Sequence, residues 1–98
     1  MRHWNLNAQA GSDRPGPRVL FSTPEARAVV IDLAPGQEMG KHRVRERVTV
    51  QVVAGSVDVT TRDEAIACGE GTLILFEPNE HHVVRARAHA QLLLILAP

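Results

Sequence analysis

Two histidines, His42 and His82, are the residues of this chain most able to do chemistry. His42 lies between Gly36 and Gly55, and His82 follows Gly71 at the end of an apolar run. Neutral imidazole binds divalent metal ions, and it donates or accepts hydrogen bonds near neutral pH. Two imidazoles alone hold a metal ion weakly, because catalytic sites usually supply three protein ligands. The pair therefore predicts either a metal site completed by another residue or a small-molecule pocket marked by two histidines.

The segments that must position these histidines are typical of short β-strands. Residues 48–54, Val-Thr-Val-Gln-Val-Val-Ala, alternate β-branched residues and form the strongest strand signal. Further strands are predicted at 18–22, 26–33, 56–61, 72–76, 83–87 and 91–96. Thr23-Pro24-Glu25 could instead start a helix over 26–33, but the Val-Val-Ile cluster there favours a strand. Short strands separated by turn residues predict a sandwich or a barrel.

The spacing of glycines and histidines resembles the two motifs of the cupin superfamily, G-x5-H-x-H-x3,4-E-x6-G and G-x5-P-x-G-x2-H-x3-N. His42 and His82 match the first and the last histidine. Val44 stands at the second histidine, and Val48 or Thr49 stands at the acid. The resemblance spans roughly residues 33–87. It implies a small single-domain, RmlC-like cupin, which is an all-β jelly-roll barrel built as a double-stranded β-helix.

The second motif departs from the cupin pattern at three places. Glu77 replaces the usual proline, with Pro78 one place late, Asn79 replaces the glycine and Ala86 replaces the asparagine. Asparagine tolerates a positive φ better than most residues, so Asn79 keeps the turn plausible.

Strand alternation assigns side chains to faces. If His42 points into the barrel, then Val44, Val48 and Val50 should line the same wall, while alternate residues such as Gln51 point away. The predicted pocket is therefore apolar and consists of His42, Val44, Val48, Val50 and His82.

His42 and His82 are also the candidate ligands for a divalent ion such as Zn, Fe, Ni or Mn, with Glu46 and Gln51 as weaker candidates for completing the site. His81 should lie on the surface, because adjacent strand residues face opposite sides.

Composition excludes several classes of function. The chain has 98 residues and a formal net charge of zero, so no basic surplus suggests nucleic-acid binding. It has no apolar run long enough for a membrane span and no apolar signal core, which predicts a cytoplasmic protein. The single cysteine, Cys68, permits no internal disulfide and is expected in the core. Residues 1–17 are predicted to form an N-terminal arm or loop, and 18–98 a single barrel domain.

Two stretches of the sequence bear on binding partners, one charged and one apolar. Residues 41–47 carry four cations on alternate positions, and Arg85 and Arg87 share that alternation. They form either a solvated face, the favoured interpretation, or a rim that attracts an anionic ligand. Residues 92–96 are apolar on both faces, which predicts cover by a second subunit, and the cupin resemblance also implies a homodimer.

Three functions remain open. The first is a small-ligand-binding or regulatory cupin with an apolar pocket. The second is a metal-dependent enzyme of the dioxygenase or isomerase kind, using both histidines and a further ligand. The third is a structural or partner-binding dimer. The loss of two ligand positions favours the first over the second.

Overall fold

The computed structural model describes residues 1–6, 16–39 and 45–98. Within these ranges the regular elements are all β-strands. They are β1 (Gly16–Ser22), β2 (Arg27–Leu33), β3 (Glu38–Met39), β4 (Arg47–Ala54), β5 (Val57–Thr61), β6 (Ala65–Cys68), β7 (Leu73–Phe76), β8 (His82–Ala86) and β9 (Ala90–Ala97). None of the residues in these ranges belongs to a helix that could cross a membrane.

The strands form two antiparallel sheets that enclose one core. The larger sheet has the order β1-β2-β9-β4-β7, and the smaller sheet has the order β3-β8-β5-β6. The core between them is aliphatic, with one buried phenylalanine, Phe76, and the cysteine Cys68. The predicted all-β barrel is therefore confirmed, and Cys68 occupies the core position expected of it.

Strand β4 shows why the chain folds into this barrel. Val48, Val50 and Val52 are buried, whereas Gln51 on the opposite face is exposed. The alternation of β-branched residues thus places one apolar row against the core and pairs β4 with both β7 and β9. The predicted assignment of faces along this strand is confirmed.

Of the predicted strand at 26–33, residues Arg27–Leu33 form β2, so the helix alternative is wrong. Strand β2 pairs along its whole length with β9 and on its other side with β1. Two strands were not predicted, β3 and β6. Strand β6 pairs with β5 through the turn at residues 62–64.

Strand β9 lies in the middle of the larger sheet, which accounts for much of its apolar character. Leu92, Leu94 and Leu96 face the core, while Leu93 and Ile95 lie on the outer face and are half-buried. A lysine at Leu94 would therefore disrupt the core, so this residue cannot report on a subunit contact.

The start of the chain packs against β1. The guanidinium of Arg2 donates to the carbonyl of Leu20 at 3.2 Å, and the ring of Trp4 lies 5.8 Å from that of Phe21. Strand β1 begins at Gly16, inside the segment predicted to be an arm. The remainder of that segment, 7–15, lies outside the described residues.

Candidate functional site

His82 is a buried imidazole at one end of the barrel. It is the first residue of β8, its exposed fraction is 3%, and it shares the inward face with Val84 and Ala86 of the core. His81, one residue earlier, is exposed, as predicted. The residue pair thus splits across the strand, with one imidazole inside and the other in solvent.

Phe76 stacks on His82 and joins the two sheets at this point. The ring centroids are 3.9 Å apart and the planes lie within 9° of parallel. Phe76 belongs to the larger sheet, where it pairs with Val48, while His82 belongs to the smaller sheet. The stack therefore packs the imidazole of the smaller sheet against an aromatic ring of the larger sheet.

A tight turn before β8 orients His82. Asn79 has a φ of 64°, which is the left-handed conformation that its sequence position predicted. The Glu80 amide donates to the Glu77 carbonyl at 3.1 Å, and the Glu77 amide donates to Glu80 Oε1 at 3.0 Å. The Glu80 carbonyl lies 3.1 Å from His82 Nδ1. Because a carbonyl oxygen only accepts, Nδ1 carries the proton, and in the neutral ring Nε2 keeps its lone pair.

The other described pocket residues have the placement that alternation predicted. Val48 and Val50 are buried in the core wall, on the strand that pairs with Phe76. His42 and Val44 lie outside the described residues, so their part in the pocket stays a prediction.

Glu46 and Gln51 do not join His82. Glu46 forms an ion pair with Arg27 at 3.6 Å, beside a groove formed by the turn between β1 and β2 and by the chain end. Gln51 is exposed on the outer face of β4, where it lines a groove of about 430 Å³ together with Trp4 and Glu70. Alternation along β4 explains its placement, because Val50 and Val52 occupy the inner face.

Three of the described cations in the predicted rim, Arg47, Arg85 and Arg87, form ion pairs, whereas residues 41–44 lie outside the described ranges. Arg47 donates through Nε and Nη2 to Glu77 Oε2, at 3.2 and 3.0 Å. Arg85 and Arg87 form ion pairs with Glu38 and Asp58 on the outer face of the smaller sheet. These contacts favour the solvated face over an anion-attracting rim.

A family model for the AraC-like ligand binding domain matches residues 28–95, which is most of the chain. The chain belongs to the AraC-like ligand binding domain family. A comparison with functionally characterised proteins found no significant match.

Solved structures show that this AraC-like domain has the cupin fold. The protein TT1209 from Thermus thermophilus superposes with a TM-score of 0.86 at 21% identity, over 100% of this chain and 98% of the other. An RmlC-like cupin from Desulfovibrio desulfuricans gives 0.83 at 20% identity, over 100% and 97%. A Klebsiella pneumoniae protein with a double-stranded β-helix domain gives 0.82 at 18%, over 100% and 90%. The predicted double-stranded β-helix is thus confirmed.

The described residues of this AraC-like domain do not fit a complete cupin metal site. Val48, at one of the two positions for the acid, is a buried valine and has no donor atom. Only His82 supplies a ligand, and no three histidine, cysteine or acidic side chains within 1–6, 16–39 and 45–98 are arranged to hold an ion.

Three contributors to the site were not predicted: Phe76, the Glu80 carbonyl and the Arg47–Glu77 pair. Phe76 falls one residue before the altered proline position, so the motif spacing could have indicated its place beside His82. The Arg47–Glu77 pair joins residues 30 positions apart, and nothing in the local sequence of either residue indicates it.

Proposed function

We propose that this protein binds a small molecule inside the barrel, at the end where His82 lies. The observation that carries the proposal is the buried imidazole of His82, which stacks on Phe76 and bonds through Nδ1 to the Glu80 carbonyl. Ligand sites are commonly apolar cavities in which a few fixed polar groups set the orientation of the ligand. His82 is such a fixed polar group, and the apolar residues Phe76, Val48 and Val50 belong to the same core. The family description, a ligand-binding domain, supports the same function.

The test is a comparison of two adjacent histidines. A library of small organic molecules would be screened against the protein by saturation-transfer NMR, and the affinity of each hit measured for His82→Ala and for His81→Ala. We expect binding to weaken by about fivefold in His82→Ala, because one hydrogen bond contributes about 1 kcal/mol. His81→Ala should bind like the parent, since His81 is exposed. Hits that bind both variants equally would place the ligand elsewhere and contradict the proposal.

A metal-dependent function is the competing proposal, and the Nε2 lone pair of His82 is the observation that favours it. Calorimetric titration of the untagged protein with Zn²⁺, Ni²⁺, Mn²⁺ and, without oxygen, Fe²⁺ would test it. Stoichiometric binding that is lost in both His42→Ala and His82→Ala would support a metal site. Binding that His82→Ala leaves unchanged would count against it.

A further inference from the structure

We infer that Arg18, Asp32 and Gln91 form a buried site for one water molecule on the outer face of the larger sheet. Four side-chain atoms there are buried and have no hydrogen-bond partner among the described residues: Arg18 Nε, Asp32 Oδ1, and both Nε2 and Oε1 of Gln91. Buried polar atoms in folded proteins are bonded, as a rule, to protein groups or to ordered water. The inference is independent of the proposed function, because His82 faces the inside of the barrel.

Strand pairing brings these side chains together. Asp32 of β2 lies directly opposite Gln91 of β9, and opposite residues of an antiparallel pair have Cβ atoms about 4.5–5.5 Å apart. The next residues along the two strands, Leu33 and Ala90, belong to the core, so Asp32 and Gln91 share the outer face. Arg18 reaches them from the edge strand β1, with its Nη2 3.2 Å from Asp32 Oδ2. The cluster therefore spans three adjacent strands.

Burial makes the missing bonds costly at this place. Asp32 is 3% exposed and Gln91 is 0% exposed. The imidazole Nε2 of His89, in the turn before β9, lies 3.9 Å from Asp32 Oδ1, which is too long for a hydrogen bond. A buried polar atom without a partner costs more free energy than a formed hydrogen bond contributes. A partner that fits among the three side chains would therefore bind favourably.

The four atoms determine the chemical class of that partner. Arg18 Nε and Gln91 Nε2 are donors, whereas Asp32 Oδ1 and Gln91 Oε1 are acceptors. An anion would leave both acceptors without a donor and would meet the Asp32 carboxylate, and a metal cation would leave both donors unpaired. The Arg18–Asp32 ion pair is neutral as a unit, so it favours a neutral molecule that both donates and accepts.

The available space favours water over a larger molecule of the same chemistry. The grooves of about 230, 280 and 430 Å³ on the described surface are lined by other residues than these three. A water molecule needs only about 10–15 Å³ of free volume and makes two to four hydrogen bonds to buried polar groups. The four unpartnered atoms match that bonding capacity.

A direct network is the competing arrangement. A different rotamer of Gln91 would allow Nε2 to donate to Asp32 Oδ1 and Oε1 to accept from Arg18 Nε, which would leave no role for water. The observed orientation makes neither bond. The two arrangements differ in whether the side-chain protons of Gln91 and Arg18 contact water, which NMR measures directly.

The water is tested in the parent protein, labelled with ¹⁵N, by NOE and ROE spectra at the water resonance. We expect cross-peaks from water to the Gln91 side-chain amide and to Arg18 Nε–H, with opposite signs in the two experiments. Opposite signs identify a long-lived bound water molecule and exclude proton exchange. The matched control is Gln51, a glutamine on the same sheet face whose exposed side chain should show no such peak. Absence of the peaks at Gln91 and Arg18 would overturn the inference in favour of the direct network.

A substitution tests whether both residues contact the same water molecule. Gln91→Met replaces the amide with an apolar chain of similar length, so the water loses its bonds to Gln91. We expect the cross-peak between water and Arg18 Nε–H to lose most of its intensity, whereas Gln51→Met should leave it unchanged. An unchanged Arg18 peak in folded Gln91→Met, or an equal loss in both variants, would overturn the shared site. If Gln91→Met does not fold, the spectra of the parent decide the inference.

Discussion

At the scale of residues, the alternation of side chains predicted more of the site than the motif chemistry did. Val48 and Val50 were placed correctly because a buried strand has a period of two residues. The weaker candidate Gln51 lies on the outer face by the same rule. The partners of His82 could not be predicted in full, because Phe76 reaches it from the opposite sheet and the Glu80 contact uses a backbone atom. Such contacts depend on the tertiary packing of segments rather than on residue type.

Cys68 gives a prediction about reactivity and pH. Burial raises the pKa of its thiol, and the nearby Asp58 carboxylate raises it further. Only the thiolate reacts with iodoacetamide, so we expect modification at neutral pH to be much slower in the folded protein than in urea.

The pKa of the Cys68 thiol is higher in the folded state than in the unfolded state. The neutral thiol therefore contributes stability at lower pH, and this contribution is lost as the pH rises through the folded pKa. Urea unfolding should therefore show a smaller alkaline loss of stability in Cys68→Ala. Equal modification rates in both states would contradict this prediction.

At the scale of elements, the sequence predicted the strands that have a strong β-branched pattern and missed the two that have none. Strand β3 has only two residues, which is too short for a period to appear. Strand β6, Ala-Ile-Ala-Cys, is rich in alanine, a residue with little preference for strands. Both strands form because they pair with the backbone of a neighbouring strand. Strand β3 pairs with β8, and strand β6 pairs with β5. Pairing between distant segments, and not local preference, decides such elements.

Two glycines in turns, Gly55 between β4 and β5 and Gly71 between β6 and β7, give a prediction about stability. Gly55 and Gly71 both have a positive φ, 82° and 90°. A Cβ atom at Gly55 would overlap the His89 carbonyl, whereas a Cβ at Gly71 would meet no atom within 4 Å. Gly71→Ala should therefore cost only the backbone strain, about 1–2 kcal/mol. Gly55→Ala should cost more than about 4 kcal/mol or prevent folding, because backbone must also move. Urea denaturation measures both, and equal losses of stability would contradict the assignment of the clash.

At the scale of the whole molecule, the two sheets present different outer surfaces. On the smaller sheet, Arg85 and Arg87 form ion pairs with Glu38 and Asp58, which is typical of a solvent-exposed surface. On the larger sheet, Leu73 and Leu75 are 68% and 54% exposed, and Leu93 and Ile95 lie half-buried on the same face. The strand pairs Leu73–Gln51–Leu93 and Leu75–Thr49–Ile95 place the four apolar side chains on one sheet face, on either side of the polar Gln51 and Thr49. Exposed apolar side chains gathered on one sheet face are typical of a protein interface.

We propose that the protein forms a homodimer through this outer face of the larger sheet. Leu75→Lys should raise the dissociation constant by at least about tenfold, because a buried leucine contributes about 1.5–3 kcal/mol. The matched control is Ile66→Lys, which changes an exposed apolar residue on the edge strand of the smaller sheet. Sedimentation of the parent and both variants measures the association, and circular dichroism checks that each variant is folded. A dimer weakened equally by both substitutions, or a parent that sediments only as a monomer, would contradict the proposal.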